Sequence, residues 1–178
     1  MNYATIKPFD IANGIGVRVS LFVSGCTHHC KGCFNAEAWD FRYGEPFTAA
    51  VEEQLLTALD HDYIAGLSLL GGEPMEPAHQ RALLPFLRRV KARFPEKTIW
   101  CYTGYLFDRE LLAPEGRAHT EVTDALMRLL DVVVDGRFEE DKKDIRLRFR
   151  GSSNQRIIDI PATRKAGNII LKEWGDYQ

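Results

Sequence analysis

Short β-branched and aromatic runs alternate along this chain with stretches of helical period, and that alternation leaves few folds open. Val17-Arg18-Val19-Ser20-Leu21-Phe22-Val23 follows the turn residues Gly14 and Gly16 and reads as a first strand. Over residues 47–59, Val51, Leu55 and Leu59 recur at i, i+4 and i+8 with Glu52 and Glu53 on the other side, which predicts a helix. Residues 66–70 read as a strand ending in Gly71-Gly72. Over residues 78–94, Leu83, Leu87, Val90 and Phe94 mark a helical face that Pro85 should kink or restart. Residues 98–102 and 131–135 read as further strands, with Val122, Leu126 and Leu129 marking a helix between them. Ile157-Ile158-Asp159-Ile160 and Asn168-Ile169-Ile170-Leu171 add short strands. This order implies a parallel sheet with right-handed crossovers. The 178 residues are too few for the roughly 250 of a closed eight-unit barrel. The expected fold is therefore α/β, a partial, open βα barrel with a mainly parallel sheet. No repeat or linker divides the chain, so a single domain over 1–178 is expected.

Composition narrows the function classes. With 45% hydrophobic residues the chain can bury a substantial core. A net charge of -2 gives no electrostatic case for nucleic acid as partner. The opening Met1-Asn2-Tyr3-Ala4-Thr5-Ile6-Lys7-Pro8 has no apolar signal core, and no run approaches the 18 or so apolar residues of a membrane span. A soluble, cytoplasmic protein is expected.

Chemistry concentrates in Ser24-Gly25-Cys26-Thr27-His28-His29-Cys30-Lys31-Gly32-Cys33-Phe34-Asn35, a loop with C-x3-C-x2-C spacing just after the first strand. Three thiolates can hold three irons of a cubane, leaving the fourth iron without a protein ligand, since such clusters normally take four cysteines. An open position points to chemistry, as it does in catalytic as against closed structural metal sites. Cys101 lies between Trp100 and Tyr102 in an apolar run and reads as a buried structural thiol. Zinc held by the three cysteines with His28 or His29 is the competing reading, although zinc modules usually split their ligands into two separated pairs. Both histidines read first as solvated loop residues. Four cysteines without a secretory leader suit a reducing compartment, which argues against disulfides.

The cysteine spacing resembles that of the radical S-adenosylmethionine (SAM) enzymes. Six further segments bring the resemblance closer to the activases of glycyl-radical enzymes, and among them those of the anaerobic ribonucleoside-triphosphate reductase. They are Asp10-Ile11-Ala12-Asn13-Gly14, Leu21-Phe22-Val23, Gly71-Gly72-Glu73-Pro74, Tyr102-Thr103-Gly104-Tyr105, Val134-Asp135-Gly136-Arg137-Phe138 and Arg150-Gly151-Ser152-Ser153-Asn154-Gln155. Residues 162–178 match nothing in it. The resemblance implies a 4Fe-4S cluster on Cys26, Cys30 and Cys33, reductive cleavage of SAM, and hydrogen abstraction from a glycine of the partner reductase to leave a glycyl radical. It implies a reduced flavodoxin-like or ferredoxin-like protein as electron donor. Many loops of the superfamily carry an aromatic residue just before the last cysteine, whereas this chain has Gly32 there and Phe34 after; the adenine contact is expected from the Gly32-Cys33-Phe34 backbone and the Phe34 ring.

The other motifs each follow a predicted strand, so all should gather at the carboxyl edge of one sheet. Gly71 and Gly72 lack a Cβ and can offer bare carbonyls to the SAM ammonium, with Glu73 alongside; alone, Gly-Gly is an ordinary strand-to-helix turn. Thr103 offers a hydroxyl and Gly104 close approach, although Thr-Gly is also plain turn chemistry. Asp135 is expected at ribose hydroxyls and Arg137 at the methionine carboxylate, against the alternative of an ion pair. The segment 142–150 alternates charged and apolar residues and reads as a charged edge strand or a docking surface for the reductase. A radical SAM enzyme acting on a small molecule, such as a carboxy-deazaguanine synthase, or an activase of another glycyl-radical enzyme would share the cysteine loop.

Overall fold

Along the strand Val17–Ser24, side-chain parity separates two different surfaces. Val19, Leu21 and Val23 are fully buried in the main apolar core, while Arg18, Ser20 and Ser24 are equally buried on the opposite face. The structure, a computed structural model, describes residues 1–172. Its seven strands are β1 (Asn2–Asp10), β2 (Val17–Ser24), β3 (Glu45–Pro46), β4 (Ile64–Gly71), β5 (Thr98–Tyr102), β6 (Val132–Asp135) and β7 (Arg156–Asp159). They form one open sheet in the order β3-β1-β2-β4-β5-β6-β7. The helices are α1 (Ala49–Leu59), α2 (Pro77–Arg93), α3 (Thr123–Met127) and α4 (Ile160–Ala166).

Only the middle of the sheet is parallel. β2, β4, β5 and β6 pair in parallel, whereas β1 with β2, β1 with β3, and β6 with β7 are antiparallel. The expected mainly parallel sheet is thus corrected to a mixed one. Between β1 and β2 the reason is connection length: a parallel neighbour needs a long crossover, while the short glycine turn can only bring the next strand back antiparallel. β1 was missed because its apolar positions are few and its residues, Asp10 apart, are half-buried or exposed along an outer strand.

Other boundaries follow the periodicity. α2 is one helix from Pro77 to Arg93 with Pro85 inside it, so the proline does not restart the helix. Pro85 is exposed while Leu84 and Phe86 are buried, and the carbonyl it leaves without its usual helical donor belongs to the exposed Arg81. Residues 142–150 form no edge strand, because β7 already holds that edge. They make a loop pinned by the Lys143–Ser152 bridge, after a helical turn at Glu140–Lys142. Of the unmatched stretch 162–178, residues to Ala166 belong to α4, and Leu171 bridges Ile158; 173–178 lie outside the described residues.

The parity of β2 continues across the sheet. Leu67, Leu69, Ile99, Cys101 and Val133 join the core that packs against the helices, each such burial contributing about 1.5–3 kcal/mol. The helix-free face carries Arg18, Ser20, Ser24, Ser68, Trp100 and Tyr102, with Phe149 from the 143–152 loop lying edge-on to Trp100 at 5.3 Å. Arg18 clips three strands together on this face, donating to Ser68 Oγ at 2.7 Å, Thr98 Oγ1 at 3.0 Å and the carbonyls of Leu67 at 2.8 Å and Thr98 at 2.9 Å. Among the described residues, no helix is long and apolar enough to cross a membrane.

Candidate functional site

The register of the parallel strands levels their exits. Val23 lies beside Gly71, Leu69 beside Cys101 and Tyr102 beside Val134, so the cysteine loop and the segments after β4, β5 and β6 leave the sheet side by side. Gly25 turns the chain out of β2, and its N–H donates to Ala38 O at 2.8 Å while that of Cys26 donates to Trp39 O at 3.2 Å. The short turn Ala36–Trp39 thereby closes the loop on itself. All three thiols are free, Cys26 buried and Cys30 and Cys33 half-buried. Burial pushes the Cys26 thiol up to about 11, opposed by the N–H groups of His28 and His29 directed at its sulfur. Cys30 is likewise pushed up by burial, opposed by the Phe138 N–H and the charge of Arg137. Buried thiols that already receive backbone N–H groups suit coordination, because a metal supplies the positive charge that a thiolate needs there.

The segment after β4 is bound directly to this loop. Gly72 N–H donates to Val23 O at 2.7 Å and Glu73 N–H to Gly25 O at 2.8 Å. Glu76 accepts from both the N–H and the hydroxyl of Thr27, at 2.8 and 2.7 Å. The Glu73 carboxylate, only 1% exposed, accepts from Met75 N–H at 2.8 Å, Thr103 Oγ1 at 2.7 Å, Gly104 N–H at 2.7 Å and His28 Nε2 at 2.9 Å. Thr103 N–H continues the chain of contacts to Val134 O at 2.9 Å, and Phe138 reaches Cys30. The structure therefore brings together the cysteine loop, Gly71–Glu73, Thr103-Gly104 and the 135–138 segment.

Several side chains within that cluster do scaffold work. Asp135 is fully buried and accepts from Phe107 N–H at 2.7 Å, and it pairs with Arg156. Thr103 points its hydroxyl at Glu73. Arg137 and Gly32 are exposed on the same rim, and the Phe34 ring is 83% exposed. Cys101 faces the helix-side core, where burial pushes its thiol well up, so it is turned away from the loop. Two of the five basic residues of 142–150 pair with nearby carboxylates: Lys142 with Glu139 at 2.6 Å and Arg146 with Asp144 at 2.8 Å.

The solvated reading holds for His29, which is exposed and stacks on Trp39, but not for His28. The His28 side chain is 3% exposed, and both ring nitrogens are engaged, Nε2 with Glu73 and Nδ1 with Arg117 at 3.2 Å. That arrangement leaves no nitrogen for a zinc ion. Among the described residues no three Cys, His, Asp or Glu side chains gather around one ion-sized point, whereas a cubane, wider than an ion, asks its thiolates to stand farther apart. Sequence reasoning also missed Ser24, whose hydroxyl at the β2 exit is fully buried and has no hydrogen-bond partner among the described residues. Strand alternation was the signal: Ser24 shares the face of Arg18 and Ser20, opposite Val19, Leu21 and Val23.

Comparison with known proteins places the cysteine loop inside a matched family model. The family model described as a 4Fe-4S single cluster domain matches residues 12–158, which include all three loop cysteines. A protein of Pasteurella multocida, named anaerobic ribonucleoside-triphosphate reductase-activating protein, is 45% identical over 159 residues, covering 88% of this chain and 96% of that relative. This chain belongs to that activating-protein family. The Escherichia coli K12 member is 45% identical over 157 residues, covering 87% of this chain and 96% of its own. The phage T4 member is 41% identical over 157 residues, covering 88% and 93%. Within this activating-protein family the cysteine loop accordingly sits in a 4Fe-4S domain.

Proposed function

We propose that the protein activates an anaerobic ribonucleoside-triphosphate reductase as a radical SAM enzyme, its open sheet serving as a partial barrel of that type. The observation that carries this reading is the direct binding of the Gly71–Glu73 turn to the three-cysteine loop, through Glu73 N–H to Gly25 O at 2.8 Å. Cys26, Cys30 and Cys33 would hold a 4Fe-4S cluster, and the residues present fit it: three free thiols in one loop, with backbone N–H groups already directed at two of the sulfurs. When bound, the cluster supplies one electron to cleave SAM into methionine and a 5′-deoxyadenosyl radical, which takes hydrogen from a reductase glycine to give 5′-deoxyadenosine and a glycyl radical.

The chain's own residues bind and orient. The backbone at Gly71 and Gly72 receives the SAM ammonium, Arg137 its carboxylate, and the Gly32-Cys33-Phe34 edge its adenine. Glu73, Thr103, Gly104 and Asp135, assigned to SAM from the sequence, shape the same pocket through the backbone turns they hold. The electron donor is a reduced flavodoxin-like or ferredoxin-like protein. We place the reaction in the cytoplasm, with protein and small-molecule partners and no nucleic acid or membrane, consistent with the net charge of -2.

Anaerobically reconstituted protein is expected to carry about four irons, to change its reduced spectrum on adding SAM, and to produce a glycyl-radical signal only with the reductase present. Tightly held zinc without iron uptake would sink the proposal. Turnover of a small-molecule substrate with no radical on the reductase would hand the assignment to the small-molecule branch.

A further inference from the structure

His28 stands between Cys26 and Cys30 with exposed neighbours, Thr27 and His29, yet its own side chain is 3% exposed. Its ring is turned inward against Tyr105, with centroids 4.3 Å apart, and the Arg117 guanidinium lies 4.7 Å from the Tyr105 ring. An arginine N–H can only donate, so the 3.2 Å contact from Arg117 makes His28 Nδ1 the acceptor. Nε2 then carries the hydrogen given to Glu73 Oε2 at 2.9 Å. The same carboxylate holds Thr103 Oγ1 and the Gly104 N–H, each at 2.7 Å. One buried carboxylate thereby joins loops that leave three different strands, β2, β4 and β5. Gly104 is shaped to this contact: a Cβ there would stand 2.5 Å from His28 Cδ2.

We propose that His28 is a positioning residue that fixes the cysteine loop against the Gly71–Glu73 and Thr103-Gly104 turns, so that cluster ligands and SAM-facing backbone hold one relative placement. The inference rests on the proposed function for what the loop carries, and on the geometry alone for what His28 does. It acts through a hydrogen bond and not through metal ligation, since Glu73 and Arg117 occupy both ring nitrogens.

Three variants separate these roles. His28→Gln keeps an N–H donor of similar reach, His28→Phe keeps ring volume without the donor, and His28→Ala removes both. In metal-free protein, amide hydrogen exchange at Gly104 should quicken about tenfold in the Ala and Phe variants, the scale of one lost hydrogen bond to a buried charged group. The Gln variant should stay within about threefold of the parent. In reconstituted protein all three should keep their iron. The SAM concentration giving half of the spectral change should rise about tenfold for Ala and Phe but not for Gln. Parent-like exchange and SAM response in His28→Phe would reduce the residue to packing, and iron loss in His28→Gln would make the imidazole a ligand; either overturns the proposal. If the parent protein shows no SAM response, the proposed function falls, while the exchange measurement on metal-free protein still decides the role of His28.

Discussion

At Gly72 a single β-carbon would stand 2.5 Å from Gly25 O and 2.8 Å from Ala38 O, both backbone atoms of the cysteine-loop base. Real Cβ contacts do not come that close, so the loop would have to move. The sequence suggests that this glycine serves a ligand alone; the structure adds a steric duty toward the metal loop. Gly72→Ala is therefore expected to lower the stability of metal-free protein by about 1–3 kcal/mol and to reduce iron uptake along with the SAM response. Denaturant unfolding and iron content measure both effects, and loss of the SAM response at unchanged stability and iron content would contradict the steric account. Glu73 shows the same shift of meaning. Its motif suggests a ligand contact, but four internal donors surround its carboxylate.

Among the elements, α4 shows how a seven-residue helix is held in place at the sheet's far edge. Asp159 caps it, accepting from Ala162 N–H at 2.9 Å, and Gly167 ends it in the left-handed region at φ 71°. Burial raises the Asp159 pKa, but the Ala162 N–H and Lys172, 3.0 Å away, outweigh it and hold the carboxyl below its ordinary value. A carboxyl with a depressed folded pKa stabilises above its unfolded pKa and loses that contribution as pH falls through the folded one. Asp159→Ala should cost about 1 kcal/mol at neutral pH. The difference from the parent should be constant above roughly pH 5 and shrink below it. Unfolding midpoints across pH 3–7 would show this, and a difference that grows on acidification would refute it.

Across the whole molecule, the buried cation Arg18 couples the central strands. It is 0% exposed, and its guanidinium bonds span β4 and β5 from a position on β2, with the Ile15 carbonyl at 3.2 Å and the Trp100 ring 5.4 Å away. Burial lowers its pKa to about 10, so it stays charged at neutral pH and all these bonds are charge-assisted. Lysine has neither the planar fork nor enough donors to replace it. Arg18→Lys should destabilise by about 3 kcal/mol, the scale of leaving buried acceptors unpaired, as read from denaturant unfolding of metal-free protein. A change near zero would mean that water replaces the lost donors.

The amino-acid order by itself specified the strand-helix alternation from Val17 to Asp135 and the C-x3-C-x2-C loop after the first parallel strand. Those signals are local: periodicity reports which face of an element is buried, and turn residues report where it ends. It also placed four motif segments at strand exits, and the level register brings them together. Only the tertiary structure decided the antiparallel edges, because an outer strand such as β1 lacks the apolar alternation that marks a buried one. It likewise decided that Pro85 is accommodated, since its effect depends on which side of α2 faces solvent, and that His28 and Asp135 point inward. A polar side chain's direction is set by the partners that folding brings within 3 Å or so, and for His28 and Asp135 those partners, Glu73 and Arg156, lie far along the chain.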